Sequence, residues 1–153
     1  MPLGGMISIL VMAPNLLFLF FPPVDANGAA PLAKDKTFRV MEVLEWVGRI
    51  GCLVLPFFYA VSLSDIGSML AAAVMLFAWV AYLAGWIRYL REGRRTVLIY
   101  QSMWGLSLPM AVWPMIYFWA AAVLLGSIWL MLAVLLLTIG HIYVSNAEYR
   151  RCK

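Results

Sequence analysis

The chain has 153 residues, of which 65% are hydrophobic and 12% charged, and its formal net charge is +4. Soluble domains are roughly 45–50% apolar and about 25% charged, so seven acids and eleven bases are too few to cover a soluble globule. The 14% of aromatic residues excludes intrinsic disorder, which requires a chain poor in such residues. The composition therefore predicts an all-α, multi-pass integral protein of the cell membrane, with the lipid bilayer as its surroundings.

Neither the cysteines nor the bases indicate a metal site or a nucleic-acid site. Cys52 lies in an apolar segment and Cys152 in a basic tail, so their context gives neither a disulfide pair nor a metal-ligand spacing. Nearly every base lies beside an apolar segment, where lysine and arginine usually face cytoplasmic water and lipid headgroups. Nucleophile-elbow, HExxH and P-loop motifs are absent from the sequence. We therefore predict no cofactor, no metal and no nucleic-acid partner.

Five apolar segments are long enough, or nearly so, to cross a membrane as helices. A span needs about 20 apolar residues to cross roughly 30 Å of hydrocarbon. The predicted helices, which together form one transmembrane domain over residues 1–153, cover about 6–24, 40–63, 66–90, 106–125 and 127–144. Residues 96–105 are apolar but include polar side chains, and we interpret them as an interfacial segment that leads into the fourth helix.

The basic residues predict how these helices are oriented. Lysine and arginine concentrate in the loops at about 25–39 and 91–96 and in the tail at 145–153, whereas the other two connections carry no base. Cytoplasmic segments are enriched in these residues, so the pattern predicts five transmembrane helices with the N-terminus outside and the C-terminus inside. A cleaved signal peptide is the alternative, because small residues follow the first apolar segment, and cleavage would leave four helices. The absence of a base in residues 1–5 argues against that alternative.

The second predicted helix carries charged residues at membrane depth. Glu45 and Arg49 are spaced i, i+4 with the acid first, which is the favourable order for a helical ion pair. On a helical projection Glu42 and Cys52 share their face. A charge at the bilayer centre costs about 2.5–3.5 kcal/mol even on insertion scales, so we expect this face to turn into the bundle. A purely structural clamp between helices would leave the same pattern.

His141, the only histidine, lies in a polar strip of the fifth predicted helix together with Thr138 and Ser145. A histidine here could relay a proton or bind a ligand, or it could simply form a hydrogen bond between helices. By depth His141 belongs to the same half of the membrane as Glu45 and Arg49. We expect the three ionisable side chains to meet, because each must find a partner or water.

Aromatic residues form a stripe on the third predicted helix and a cluster on the fourth. The stripe consists of Trp79, Tyr82, Trp86 and Tyr89. Aromatic residues at the ends of spans form interfacial belts, which accounts for Trp86 and Tyr89. Trp79, Trp113 and Tyr117 fall nearer the middle of their spans. They either pack in the core or line an apolar cavity for an aromatic or lipid-like ligand.

Prolines are expected to break the first and fourth predicted helices. Pro14 removes a backbone hydrogen bond, and Asn15 can offer its side chain to the freed groups, while Pro109 and Pro114 should kink the fourth helix. Broken helices at membrane depth occur where a cavity or neighbouring protein satisfies the backbone, and transporters use them in binding sites. Proline is also common in membrane helices without such a role.

Three classes of function remain open on this evidence. The leading hypothesis is a protein that binds or transports a small, partly apolar solute through an intramembrane cavity lined by Glu45, Arg49 and His141, with an aromatic wall. The first alternative is an accessory subunit of a larger membrane complex, and the second is a membrane enzyme acting on a lipid or isoprenoid. So few helices leave a narrow route within one protomer, which makes a homodimer or a partner subunit plausible.

Overall fold

The structure, a computed structural model, describes residues 3–25 and 35–151 of the chain. All regular elements in these two ranges are helical, which confirms the all-α part of the predicted fold class. The helices are α1 (Gly4–Asn15), α2 (Leu17–Phe20), α3 (Lys36–Val54), α4 (Ile66–Arg91), α5 (Thr96–Tyr100), α6 (Pro109–Leu124) and α7 (Ile128–Arg151). A 3-10 turn, Leu55–Phe58, continues α3. The small residues weighed as a signal-peptide cleavage site, at positions 26, 29 and 30, lie outside the described ranges.

Local capping and proline chemistry explain where the helices differ from the predicted spans. The second helix begins earlier than residue 40, because the Asp35 carboxylate accepts the Phe38 N–H at 2.7 Å and caps α3. It ends earlier than residue 63, since Pro56 lies in the 3-10 turn and the chain from 59 to 64 has no helix. The segment predicted as a tail, 145–153, is helical as far as Arg151.

Helices α3 and α7 pack with their backbones in direct contact. A Cβ atom on Gly48 would lie 2.3 Å from the Leu137 nitrogen, and one on Gly140 would lie 2.5 Å from the Glu45 nitrogen. Neither position can accept a side chain without moving the helices apart, so glycine is required at both. This is the most extensive helix contact in the described part of the chain, followed by that between α4 and α6.

The contacts between helix ends gather the basic segments at one end of the bundle. The first half of α3 packs antiparallel to the last half of α7, with the rings of Phe38 and Tyr143 6.4 Å apart. The chain after α2 reaches the same end, where the Val24 N–H donates to the Arg94 carbonyl at 3.0 Å. Gly4, at the start of α1, instead lies against the backbone of Pro56 at the other end.

Much of the outer surface is apolar. Exposed large side chains include Trp46 at 57%, Phe77 at 64% and Trp129 at 65%. By length and composition, two of the described helices, α4 and α7, are long and apolar enough to cross a membrane, while Gly4–Phe20 and Pro109–Leu124 are shorter apolar helices. These features give weak support for a membrane location.

Candidate functional site

Glu45, Arg49 and His141 meet between α3 and α7. Glu45 is 7% exposed, and its Oε1 lies 2.8 Å from Nδ1 of His141. The same carboxylate oxygen accepts a hydrogen bond from the Arg49 guanidinium. The guanidinium carbon also lies 5.5 Å from the centroid of the Trp46 ring, within the range of a cation–π contact. The buried acid therefore has two partners, as a charge in a low-dielectric interior requires.

The glycine contact between α3 and α7 is what brings this cluster together. Glu45 and Arg49 share a face of α3 because of their i, i+4 spacing. Gly140 allows the α7 backbone to approach the α3 backbone at Glu45, and the next residue, His141, then reaches the carboxylate. A larger residue at position 140 would separate the imidazole from the acid. The ion pair is set by one helix, whereas the histidine contact depends on the packing of two.

A cavity of about 350 Å³ lies beside this cluster. Its volume is at the lower end of the range for small-molecule sites, roughly 300–1,000 Å³. Arg49 and His141 form part of its wall, whereas Glu45 lies behind them and is not part of the lining. Most of the remaining wall is apolar or aromatic, and includes Tyr82, Trp86, Met110, Met115 and Phe118.

Two tryptophans hold a buried indole N–H without a hydrogen-bond partner in the described part of the chain. They are Trp86 and Trp113. Trp86 lines the cavity, and its ring packs edge-on against Phe18, with centroids 4.6 Å apart. Trp113 is not part of the lining and packs edge-on against Phe77 at 5.6 Å. Both indole nitrogens are sealed from open space, and a buried donor without an acceptor is unfavourable.

Two of the aromatic residues predicted to face a ligand anchor α1 instead. Pro14 has no N–H, so the Leu10 carbonyl loses its helical donor. The Trp79 indole donates to that carbonyl at 2.9 Å. The Tyr117 hydroxyl donates to the Ile7 carbonyl at 3.0 Å. The cavity lining includes none of the three aromatic residues predicted for it, Trp79, Trp113 and Tyr117. Its aromatic wall is formed by other rings, among them Tyr82, Trp86 and Phe118.

The proline and asparagine positions have separate structural roles. Asn15 donates to the Val11 carbonyl at 3.1 Å and accepts the Tyr82 hydroxyl at 2.8 Å, which ties the end of α1 to α4. Pro109 does not kink a helix as expected, because it occupies the first turn of α6, where a missing N–H leaves no ladder bond unmade. Pro114 lies inside α6 and lines the cavity.

The polar strip on α7 is divided between the cavity and the core. Ser145 is buried and lines the cavity close to His141. Thr138 does not line it, because its hydroxyl donates to the Val134 carbonyl at 2.7 Å and accepts the Trp119 indole N–H at 3.3 Å. Only part of the strip is therefore available to a ligand.

The aromatic stripe on α4 contributes two residues, Tyr82 and Trp86, to the cavity wall. Trp86 was expected in an interfacial belt, yet it is 2% exposed and faces the interior. The small residues on the same helix face were the available signal. Ala78, Ala81 and Gly85 are buried together with Tyr82 and Trp86, which is the composition of a helix-packing face.

At the basic end of the bundle, Asp25 joins the chain after α2 to the start of α5. Its carboxylate accepts hydrogen bonds from the Thr96 hydroxyl at 2.6 Å and the Thr96 N–H at 2.8 Å. These two hydrogen bonds lower the pKa of Asp25 below its ordinary value. Among the described residues, no group of three or more His, Cys, Asp or Glu is placed to hold a metal ion.

No protein-family model, curated protein or solved structure matches this chain.

Proposed function

We propose that this chain is an integral membrane protein of five spans that binds a small, partly apolar solute in the cavity beside Glu45, Arg49 and His141. Its N-terminus lies outside and its C-terminus inside the cell. The observation that carries the proposal is a cavity lined by Arg49, His141 and aromatic rings, inside a bundle whose outer surface is largely apolar.

The distribution of charge supports the membrane part of the proposal. The exposed apolar side chains of α3, α4 and α7 suit lipid, which would solvate them far better than water does. The bases at the ends of these helices collect on one side, as cytoplasmic segments do. The ion pair of Glu45 and Arg49 lies some nine residues or more into α3, which is roughly 13 Å or more along the helix axis at 1.5 Å per residue.

The site itself supports binding. Charged groups at membrane depth are unfavourable and are generally retained where they serve a ligand, an ion or a proton path. Here Arg49 keeps 41% of its side chain exposed even though it pairs with Glu45. A purely structural clamp would be expected to cover both partners. Arg49 also lines the cavity, which makes its side chain available to a solute there.

Native mass spectrometry of the purified protein in lipid nanodiscs tests the binding function. We expect a small molecule to remain bound to the wild-type chain. Ala111, which is buried and lines the cavity, offers a filling variant: Ala111→Leu should lose the bound molecule. Val123→Leu, at an exposed position of the same helix, is the matched control and should retain it. An empty wild-type protein with a stoichiometric partner subunit would contradict the proposal and favour the accessory-subunit function.

Cysteine labelling in intact cells tests the orientation. In a background with both native cysteines replaced, Ser64→Cys lies before α4 and Arg95→Cys after it, and both positions are exposed. An impermeant thiol reagent added outside should label position 64 only. The reverse pattern would contradict the orientation, and labelling of both positions from outside would show that α4 does not cross.

A further inference from the structure

We infer that the cavity selects an amphipathic acid, with the anionic head bound by Arg49 beside His141 and the apolar part lying against α6. This inference rests on the proposed function, because it names the class of solute that the cavity takes.

The guanidinium of the cluster belongs to the cavity wall, and the acid of the cluster does not. Arg49 and His141 line the cavity, whereas Glu45 is behind them. A guanidinium has five N–H donors in a planar fork. The Glu45 carboxylate accepts one of them, which leaves the others for a solute. A cationic solute would meet the arginine before it met the carboxylate. The electrostatics of this end therefore favour an anion and disfavour an amine.

The chemistry of the guanidinium defines the head group. Arginine binds carboxylate and phosphate groups through planar, bidentate hydrogen bonds. Carboxylate and phosphate heads share this acceptor chemistry.

The apolar part of the cavity wall defines the rest of the solute. Met110, Met115 and Phe118 are all buried on α6 and contribute apolar wall. Methionine adapts to ligands of irregular shape, and an aromatic ring supports a hydrocarbon chain. A volume of about 350 Å³ holds roughly twelve non-hydrogen atoms, if each takes the approximately 30 Å³ of a water molecule in the liquid. Decanoate has this size.

Binding of three matched ten-carbon probes to the full chain in nanodiscs tests the inference. Labelled decanoate, 1-decanol and decylamine are measured separately by scintillation proximity, with empty nanodiscs subtracted. We expect decanoate to bind at least about tenfold more tightly than the alcohol, the equivalent of one charged hydrogen bond. The amine should bind most weakly. Labelled decyl phosphate in a parallel measurement distinguishes a phosphate head from a carboxylate head.

Two arginine positions provide the matched variants. Arg91→Gln removes an exposed guanidinium outside the lining of this cavity and should leave the preference for decanoate unchanged. The double variant Glu45→Gln with Arg49→Gln keeps a neutral pair in place, and it should abolish the preference for decanoate over 1-decanol.

The outcomes separate the inference from the proposed function. If 1-decanol or decylamine binds as tightly as both anions, the selectivity for an acid is wrong, although the cavity still binds a partly apolar solute. If the double variant and Arg91→Gln behave alike, Arg49 does not contact the head. If no probe binds above empty nanodiscs, the proposed binding function fails as well.

Discussion

The hydrogen bond from Trp79 to the Leu10 carbonyl is expected to hold the broken first helix in place. Pro14 has no N–H, so this carbonyl would otherwise have no donor from its own helix. In water the loss would be small, because Leu10 is 38% exposed and solvent would replace the indole. In hydrocarbon nothing replaces it, and the cost of an unpaired backbone carbonyl becomes large.

Trp79→Phe removes the donor and keeps an aromatic ring on α4. Hydrogen bonds between membrane helices contribute about 1–2 kcal/mol in model peptides and less in double-mutant cycles. We therefore expect the free energy of unfolding to fall by about 1–2 kcal/mol, which is roughly a five- to thirty-fold change in the ratio of folded to unfolded protein. Unfolding by titration with SDS in mixed micelles measures this quantity. Trp113→Phe is the matched control, since its N–H has no hydrogen bond to lose.

A double-mutant cycle with Pro14→Ala isolates the interaction. Alanine at position 14 restores an N–H to the ladder of α1, so the Leu10 carbonyl regains a donor when the indole is gone. In this background we expect Trp79→Phe to cost less than about 0.5 kcal/mol, and the cycle cancels the effect of the proline on the unfolded state. Equal losses with and without Pro14, or a loss no greater than that of Trp113→Phe, would refute the reasoning.

Three further predictions concern packing, the buried acid and the basic end of the bundle. Gly48→Leu should prevent α3 from packing on α7 and abolish the folded fraction in fluorescence-detected size exclusion, whereas Val47→Leu, at an exposed position, should be tolerated. His141→Phe removes one partner of the buried carboxylate and should lower the free energy of unfolding by about 1.5–3 kcal/mol in the SDS assay; an unchanged value would mean that the contact contributes nothing. Because the pKa of Asp25 is lowered, its contact with Thr96 stabilises the fold fully at pH values above the ordinary carboxyl pKa of about 3.8. This stabilisation is lost as the pH falls through the lowered pKa. Thr96→Val should raise that pKa towards the ordinary value in a carboxyl-resolved NMR titration, and no movement would contradict the assignment of the hydrogen bonds as the cause.

The roles of the prolines and tryptophans show where sequence reasoning reaches its limit. That Pro14 would free a carbonyl follows from its covalent structure, and that Asn15 could serve the freed backbone follows from its side chain. The sequence does not predict that Trp79, which lies 69 residues away, donates a hydrogen bond to the Leu10 carbonyl. Such a pairing depends on the relative height and rotation of α1 and α4, which only packing sets.

Composition and segment length predicted the helical class that the structure shows, because apolar segments of about 20 residues have the length of membrane-spanning helices. Helical periodicity placed Glu45 and Arg49 on one face, because residues four apart on one helix are neighbours wherever that helix lies. Tertiary structure alone decided that His141 touches the acid and that Trp86, not Trp79, lines the cavity. Periodicity gives the direction of a side chain relative to its own helix. The neighbour that it meets is set by how closely another helix can approach, and here Gly48 and Gly140 fix that distance.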